Sequence, residues 1–339
     1  MPNQRAIARA LGINQSTVSR ALRGDRSIPP ETKALIEAEV QKQAYRPNAY
    51  VSSLMNQIRS GRPLRDRSCV GLLVDAAAPE EWPTLHVYQE YRQGILQRAD
   101  ELGFYTETFY LHAPKMSPSR IDSILFSRGI KGIVLTAPFL SLKQRISFQW
   151  ERYASATTGY SWPVATDRVA HDHHANVMLA YRNLIARGFQ RISLCLPRHN
   201  LSDQPSRWLG GFAQCEHEYF GGQRTPVFYG NPDDTSPQAF QKWLRQTRPE
   251  VLLTLIGHEM IWLGELKIRV PDKLALVCLV RPTDPFYAGV DEPNVELGRM
   301  TLETVASKIL HNQFGLPENP RLTLISGTWR DGPSCPARR

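Results

Sequence analysis

No window of the chain approaches about 18 uninterrupted apolar residues, so a membrane-spanning helix is not expected. The N-terminus has no secretory apolar core either, because Gln4, Arg5 and Arg9 interrupt its first apolar pattern. The five cysteines are dispersed and form no CxxC pair, which argues against a disulfide framework and a zinc module. A reducing cytoplasm is therefore the expected compartment.

The sequence also lacks the motifs of common enzyme classes. It contains no GxSxG nucleophile elbow and no Walker loop, and the segment GLLVDAAAP at 71–79 contains no GxGxxG. Internal repeats and low-complexity tracts are absent as well. We therefore expect a protein that is not an enzyme and that needs neither a cofactor nor a metal.

The sequence does have a strongly basic N-terminal segment. The chain of 339 residues has a formal net charge of +9. Its first 67 residues hold twelve Lys and Arg against five Asp and Glu, whereas the remainder holds 29 basic and 27 acidic residues. An excess of positive charge in one segment favours an anionic partner, most often nucleic acid or a membrane surface. The overall composition is globular, and the length suffices for two or three cores.

Apolar residues at helical spacing predict three short helices within 1–47. Gly12 and Gly24 are placed to end the first two helices, and Asn14 can cap the second. A turn of about three residues between two such helices is typical of a helix-turn-helix domain. The residues predicted to face its core are Ile7, Ala8, Leu11, Thr17, Val18, Ala21, Leu22, Leu35, Ile36 and Val40.

Residues 48–68 are predicted to form a hinge helix over 49–58 followed by a polar linker. Ten residues are too few for a stable isolated helix in water, so this helix needs a partner.

From Cys69 onward, short apolar runs alternate with amphipathic stretches, which indicates an α/β body with parallel sheets. The same alternation of apolar runs and amphipathic stretches begins again after Pro163, so two lobes with a cleft between them are expected. We assign 69–165 with about 291–325 to the first lobe, and 166–290 with about 326–339 to the second.

The segment from Ile7 to Gly24, IARALGINQSTVSRALRG, resembles the N-terminal signature of LacI/GalR-type bacterial transcription regulators. Tyr45 to Ala49 and Arg187 to Ile192 are similar to later parts of that family. The resemblance implies a helix-turn-helix, a hinge helix and a two-lobed effector domain like a periplasmic binding protein. It also implies a homodimer, without a membrane partner, on a pseudo-palindromic double-stranded DNA operator.

A recognition helix places its N-terminal residues at base edges in the major groove. Gln15 can bond to adenine and Ser16 suits several bases, while Arg20 can reach a guanine or a phosphate. The resemblance implies that Leu54 wedges between base steps in the minor groove, although Met55 replaces the usual small residue. The alternative is a linker helix that packs Leu54 on the body. The predicted DNA-binding residues are Gln15, Ser16, Thr17, Ser19, Arg20, Arg23, Thr32, Asn48 and Leu54.

The effector cleft departs from the family pattern. Trp208, preceded by Arg207, stands where an arginine is usual, and His258-Glu259 stands where Asn-Asp is typical. Near the strand 274–280, the usual pair of aspartates is absent, so a standard hexose pocket is not implied. The candidate effector-binding residues are Tyr88, Asp172, Arg207, Trp208, His258 and Glu259.

The strip from His171 to His174 has ligand types that suit zinc, but Asp172 also fits the N-cap of the following helix. We expect a DNA-binding regulator, a repressor, whose operator affinity responds to a small-molecule effector, with a carbohydrate as a candidate. One alternative is a cytosolic ligand-binding or enzymatic α/β protein whose basic N-terminus binds nucleic acid without sequence choice. A metal-dependent hydrolase that uses the histidine strip is a second alternative.

Overall fold

The computed structural model describes residues 4–22, 28–43, 68–81, 86–137, 146–197, 203–222, 226–230, 232 and 235–337. The chain divides into two units, Met1–Asp66 and Arg67–Arg339. The predicted hinge helix lies outside the described residues, and so do the DNA-binding candidates Arg23, Asn48 and Leu54. No helix among the described residues has the length and apolar character that a membrane span requires.

The N-terminal unit consists of three short helices around a small core. The helices are α1 (Gln4–Ala10), α2 (Gln15–Ala21) and α3 (Pro30–Lys42). Ile7, Ala8, Val18 and Ile36 are buried, because the apolar face of each helix is turned toward the shared core.

One local prediction for this unit is wrong and another is confirmed only in position. Leu35 is 61% exposed, because it lies about 100° around the helix from the buried Ile36. Asn14 occupies the predicted N-cap position, but its side chain makes no capping hydrogen bond; its backbone carbonyl accepts from Thr17 and Val18 instead.

The first lobe of the body is a parallel sheet with the strand order β11-β5-β4-β3-β1-β2. Its strands carry Val, Ile, Leu, Ala and Thr, which suit a sheet covered on both faces. The strands are β1 (Ser68–Val74), β2 (Phe104–Tyr110), β3 (Gly132–Leu135), β4 (Ala154–Thr158), β5 (Asp167–His171) and β11 (Leu322–Ile325), and the helices are α4 (His86–Glu101), α5 (Pro118–Ser127) and α10 (Asn294–Leu310).

The second lobe has the strand order β12-β10-β9-β8-β6-β7, parallel except for the antiparallel pair β10 and β12. Its core packs both faces of the sheet against helices. The strands are β6 (Ile192–Leu196), β7 (Phe228–Tyr229), β8 (Val251–Thr254), β9 (Ala275–Cys278), β10 (Ala288–Asp291) and β12 (Thr328–Arg330), and the helices are α6 (His173–Ala186), α7 (Asp203–Phe220), α8 (Pro237–Thr247) and α9 (Met260–Glu265). Two parallel-dominated lobes confirm the predicted α/β class.

The chain crosses between the two sheets three times: after β5 at Asp172, after β10 at Glu292 and Pro293, and between β11 and β12. The predicted lobe boundary at 165 puts β5 in the second lobe, whereas β5 pairs with β4 and β11 in the first sheet. Its sequence, DRVAH, is too polar to show as an apolar run, so the boundary has to move to about 172. The other domain limits remain predictions.

Candidate DNA-binding and effector-binding sites

The recognition helix α2 buries one face and exposes the predicted base-reading residues. Val18 is fully buried, whereas Gln15, Ser16 and Arg20 are exposed. Gly12 adopts a φ of +65°, a conformation that glycine takes without a Cβ clash and that lets the chain turn sharply between α1 and α2. The short polar face of α2 is thus held by the buried core on its other side.

The predicted DNA-binding residues with short hydroxyls lie beside that face or on the next helix. Thr17 and Ser19 are half-buried on α2, and Thr32 is half-buried in the first turn of α3. Short hydroxyls at such positions can reach phosphate oxygens, which position a protein on DNA without reading its sequence. The amide of Gln15 and the guanidinium of Arg20 have the donors that base edges require.

The candidate effector residue Tyr88 lies on α4 over the carboxyl end of β1. It packs with Val74, Ala76 and Tyr110, and burial raises the pKa of Tyr88 to about 12. Its ring meets that of Tyr91 edge-on at 5.9 Å, and Tyr91 lies 6.0 Å from the ring of His171. Tyr88 is therefore connected to the first crossing by two contacts between aromatic rings.

Asp75 and His112, which the sequence reasoning missed, lie at this same edge of the sheet. Asp75 directly follows β1, and its Oδ1 is 2.7 Å from Nε2 of His112, which follows β2. Ligands of open α/β sheets bind outside the carboxyl ends of strands, so this position was the signal that could have identified both residues.

Three further candidates lie at the first crossing on the second-lobe side. Trp208 is buried on α7, with its indole 4.0 Å from the imidazole of His173. The Arg207 guanidinium lies 4.2 Å from the ring centroid of Tyr160, a cation-π contact. Oδ1 of Asp172 accepts from the backbone N–H of Ala175 at 3.0 Å, which confirms the predicted N-cap.

His258 and Glu259 are placed differently from the other candidates. His258 is exposed, while Glu259 is buried and accepts a hydrogen bond from Oγ1 of Thr254. Burial raises the pKa of Glu259, although its hydrogen bonds with Thr254 and Cys195 act in the opposite direction. The described contacts of Glu259 thus belong to the interior of the second lobe.

The histidine strip takes part in a hydrogen-bonded cluster around Glu292. Nε2 of His171 is 2.9 Å from Oδ1 of Asn294, and Nδ2 of Asn176 donates to Oε1 of Glu292 at 2.8 Å. The carboxylate of Glu292 lies 3.7 Å from Nε2 of His171 and 3.6 Å from Nδ1 of His173. Burial acts to raise the pKa of Glu292, but the two histidines and Asn176 outweigh it and lower that pKa.

Sequence reasoning singled out the histidines but missed Glu292, Asn176 and Asn294. No local signal joins them, since His171 and Asn294 are 123 positions apart in the chain. Among the residues that the structure describes, no group of three or more His, Cys, Asp or Glu is placed so that it could hold a metal ion.

A family model described as "Bacterial regulatory proteins, lacI family" matches residues 5–48. The HTH-type transcriptional regulator GalR of Escherichia coli (strain K12) is 20% identical over 336 residues, which cover 95% of this chain and 91% of GalR.

Two solved structures share the fold. A transcriptional regulator CelR–cellobiose complex has a TM-score of 0.60 at 17% identity, and the match covers 98% of this chain and 100% of that one. The lac repressor dimer bound to operator and the anti-inducer ONPF has a TM-score of 0.55 at 16% identity, with 98% of both chains covered.

The N-terminal motif and the family model identify the DNA-binding unit, and the body has the two-sheet fold of these regulators. Residues 5–48 thus match the lacI family, and nearly the whole chain is similar to a bacterial transcription regulator of this type.

Proposed function

We propose that the protein is a sequence-specific DNA-binding transcription regulator, acting as a repressor, whose operator affinity is set by a small-molecule effector. The observation that carries this proposal is α2, which buries Val18 and presents Gln15, Ser16 and Arg20 on the outside of a basic unit. Its partner is a pseudo-palindromic duplex bound by a homodimer, since two recognition helices discriminate better than one. This function places the protein in the cytoplasm and assigns it no enzymatic reaction.

The effector is proposed to bind where the carboxyl ends of the strands meet, between Tyr88 with Asp75 and His112 on one side and Arg207 with Trp208 on the other. Aromatic rings beside carboxylate, imidazole and guanidinium groups suit a ligand that carries both an apolar face and hydroxyls. The solved complex of CelR with cellobiose supports a carbohydrate. The replacement of the usual arginine by Trp208 supports a ligand other than a standard hexose.

The function is tested in two steps. Duplexes that the protein binds are first selected from a random DNA library. The most enriched sequence is then titrated with the protein by fluorescence anisotropy at fixed salt. Arg20→Ala is expected to weaken binding by about 1–3 kcal/mol, because it removes a base or phosphate contact. Lys42→Ala is the matched control, since it removes one positive charge from the last turn of α3 in the same unit. Equal losses for the two variants would mean that α2 contributes only charge.

The same titration separates this function from non-specific binding. A regulator favours its site over random DNA by about a thousandfold or more at physiological salt. Equal affinity for selected and random duplexes would support the alternative, a ligand-binding or enzymatic α/β protein with a basic nucleic-acid-binding segment.

The effector proposal is tested by thermal shift with a panel of mono- and disaccharides, followed by anisotropy on the selected DNA. A sugar that raises the melting temperature of the body should also change DNA affinity, and Trp208→Leu should remove both effects. Persistence of both effects in that variant would place the effector elsewhere.

A further inference from the structure

Glu292 lies at the second of the three crossings between the lobes, and its partners come from the others. His171 ends β5 and His173 begins α6, so these two flank the first crossing. Asn176, which donates to Glu292, also accepts through Oδ1 from the backbone N–H of Gly327 at 2.9 Å, and Gly327 lies in the third crossing. One carboxylate is thus connected to every crossing.

The cluster around Glu292 is buried, so the carboxylate depends on these contacts in place of water. Glu292 is 7% exposed, and His171 and Asn176 are 2% and 1% exposed. A buried carboxylate is tolerated only while hydrogen bonds and nearby positive charge replace the lost water. A rotation of one lobe against the other would alter the crossings, and Glu292 would lose partners without gaining water.

The network extends into the first lobe and toward the proposed effector site. Nδ2 of Asn294 at the start of α10 donates to Oε2 of Glu90 on α4 at 2.8 Å. On the other side, the ring of His173 packs against Trp208 with the ring centroids 4.0 Å apart. Glu292 is therefore in contact with groups that continue into both lobes.

We propose that Glu292 is a positioning residue that holds the two lobes in one arrangement by tying the three crossings together. The carboxylate acts as a clasp, because its partners lie on segments that must all move when the lobes rotate. The contact between His173 and Trp208 then lets a bound ligand shift the clasp, a step that rests on the proposed function.

The test measures lobe separation in the full-length protein without DNA or ligand. Spin labels are attached at Leu310→Cys on the first lobe and Ile261→Cys on the second, which replace residues that are 60% and 55% exposed. Four of the native cysteines are buried and Cys69 is half-buried, so protein without the new cysteines measures background labelling. Pulsed electron paramagnetic resonance gives the distance distribution, and excess unlabelled protein suppresses distances between protomers.

Glu292→Gln is expected to at least double the width of that distribution or add a second population. The matched control is Glu216→Gln, another buried carboxyl, which accepts from the Tyr181 hydroxyl at 2.7 Å and joins α6 and α7 within one lobe. Glu216→Gln should keep the distribution of the labelled parent.

His173→Phe gives a second measurement if Glu292→Gln does not fold. Phe keeps the ring packed between Trp208 and Tyr160 and removes the nitrogen that faces Glu292, so it should broaden the distribution as well. An unchanged width in the variants that fold, or equal broadening by Glu216→Gln, would overturn the proposal. If none of the Glu292 and His173 variants folds, the cluster is a folding determinant and the clasp is likewise rejected. Failure of DNA or sugar binding would leave this readout unaffected.

Discussion

The N-terminal unit and the body of this protein use their residues in opposite ways. Among its described residues, the N-terminal unit buries only apolar side chains, such as Val18 and Ile36, and α2 exposes Gln15, Ser16 and Arg20. The body has large cores on both faces of its second sheet and also buries carboxyl, imidazole and amide groups. A small core can support a charged surface, but only a large one can enclose polar groups that respond to a ligand. The charge follows the same division, since most of the excess lies in the first 67 residues.

The largest expected effect comes from separating the two regions. Deletion of residues 1–67 should abolish DNA binding and its salt dependence, because the counterion release that drives such binding needs the basic segment. Anisotropy over a salt series measures the loss, and circular dichroism with thermal melting shows whether the body stays folded. Strong DNA binding by the shortened protein would show that the body contributes a DNA surface of its own.

Truncation of a core side chain should distinguish the two regions, because their free energies of unfolding differ. Ile36→Ala in the N-terminal unit and Leu252→Ala in the body each remove buried methyl groups, at a cost of about 2–5 kcal/mol. Stability is about 0.05–0.15 kcal/mol per residue, so the smaller unit should unfold while the body should not. Calorimetry should show loss of an early transition for Ile36→Ala, together with loss of DNA binding. A fully folded N-terminal unit in that variant would mean that contacts outside its small core stabilise it.

Two buried carboxyl groups of the body should show opposite pH dependences. The pKa of Glu292 is lowered by its histidines and Asn176, so its contribution to stability is present above its unfolded pKa of about 4.3 and is lost as pH falls through the folded pKa. The pKa of Glu259 is raised by burial, so its contribution is present below about 4.3 and is lost as pH rises through the folded pKa.

Melting curves of Glu292→Gln and Glu259→Gln against the parent, between about pH 2.5 and pH 8, check these signs. As pH rises, the melting temperature of Glu292→Gln should fall relative to that of the parent. The melting temperature of Glu259→Gln should rise relative to that of the parent. Parallel curves for the two variants would contradict the different environments of these groups.

The smallest effects are expected at two glycines with equivalent geometry. Gly12 and Gly188 follow helices with φ values of +65° and +82°, and both have open space at the Cβ position. Alanine at either site should cost roughly 1–2 kcal/mol through backbone strain alone. At Gly12 that loss should weaken DNA binding near the melting temperature of the unit, whereas at Gly188 it should only lower the melting temperature of the body. Equal effects on DNA binding would mean that the two units share one folding transition.

Much of the fold could be predicted because it is encoded locally. The faces of α1 and α2 follow from apolar spacing, and the Asp172 cap follows from one side chain beside one helix start. Strands with apolar runs, such as β1 and β6, were predictable for the same reason. β4 (Ala154–Thr158, ASATT) and β5 were missed, because small or polar residues show as strands only when neighbouring strands bury them.

The sequence by itself determined a basic helix-turn-helix unit, the α/β class of the body and the polar side chains that α2 exposes, because each depends on residues within a few turns of one another. Tertiary structure alone decided that β5 joins the first sheet, that Leu35 is exposed and that Glu259 is enclosed in the second lobe. It also decided that Glu292 meets His171, His173 and Asn176 at the crossings. These contacts join residues more than a hundred positions apart, and only the packing of the lobes brings such residues together.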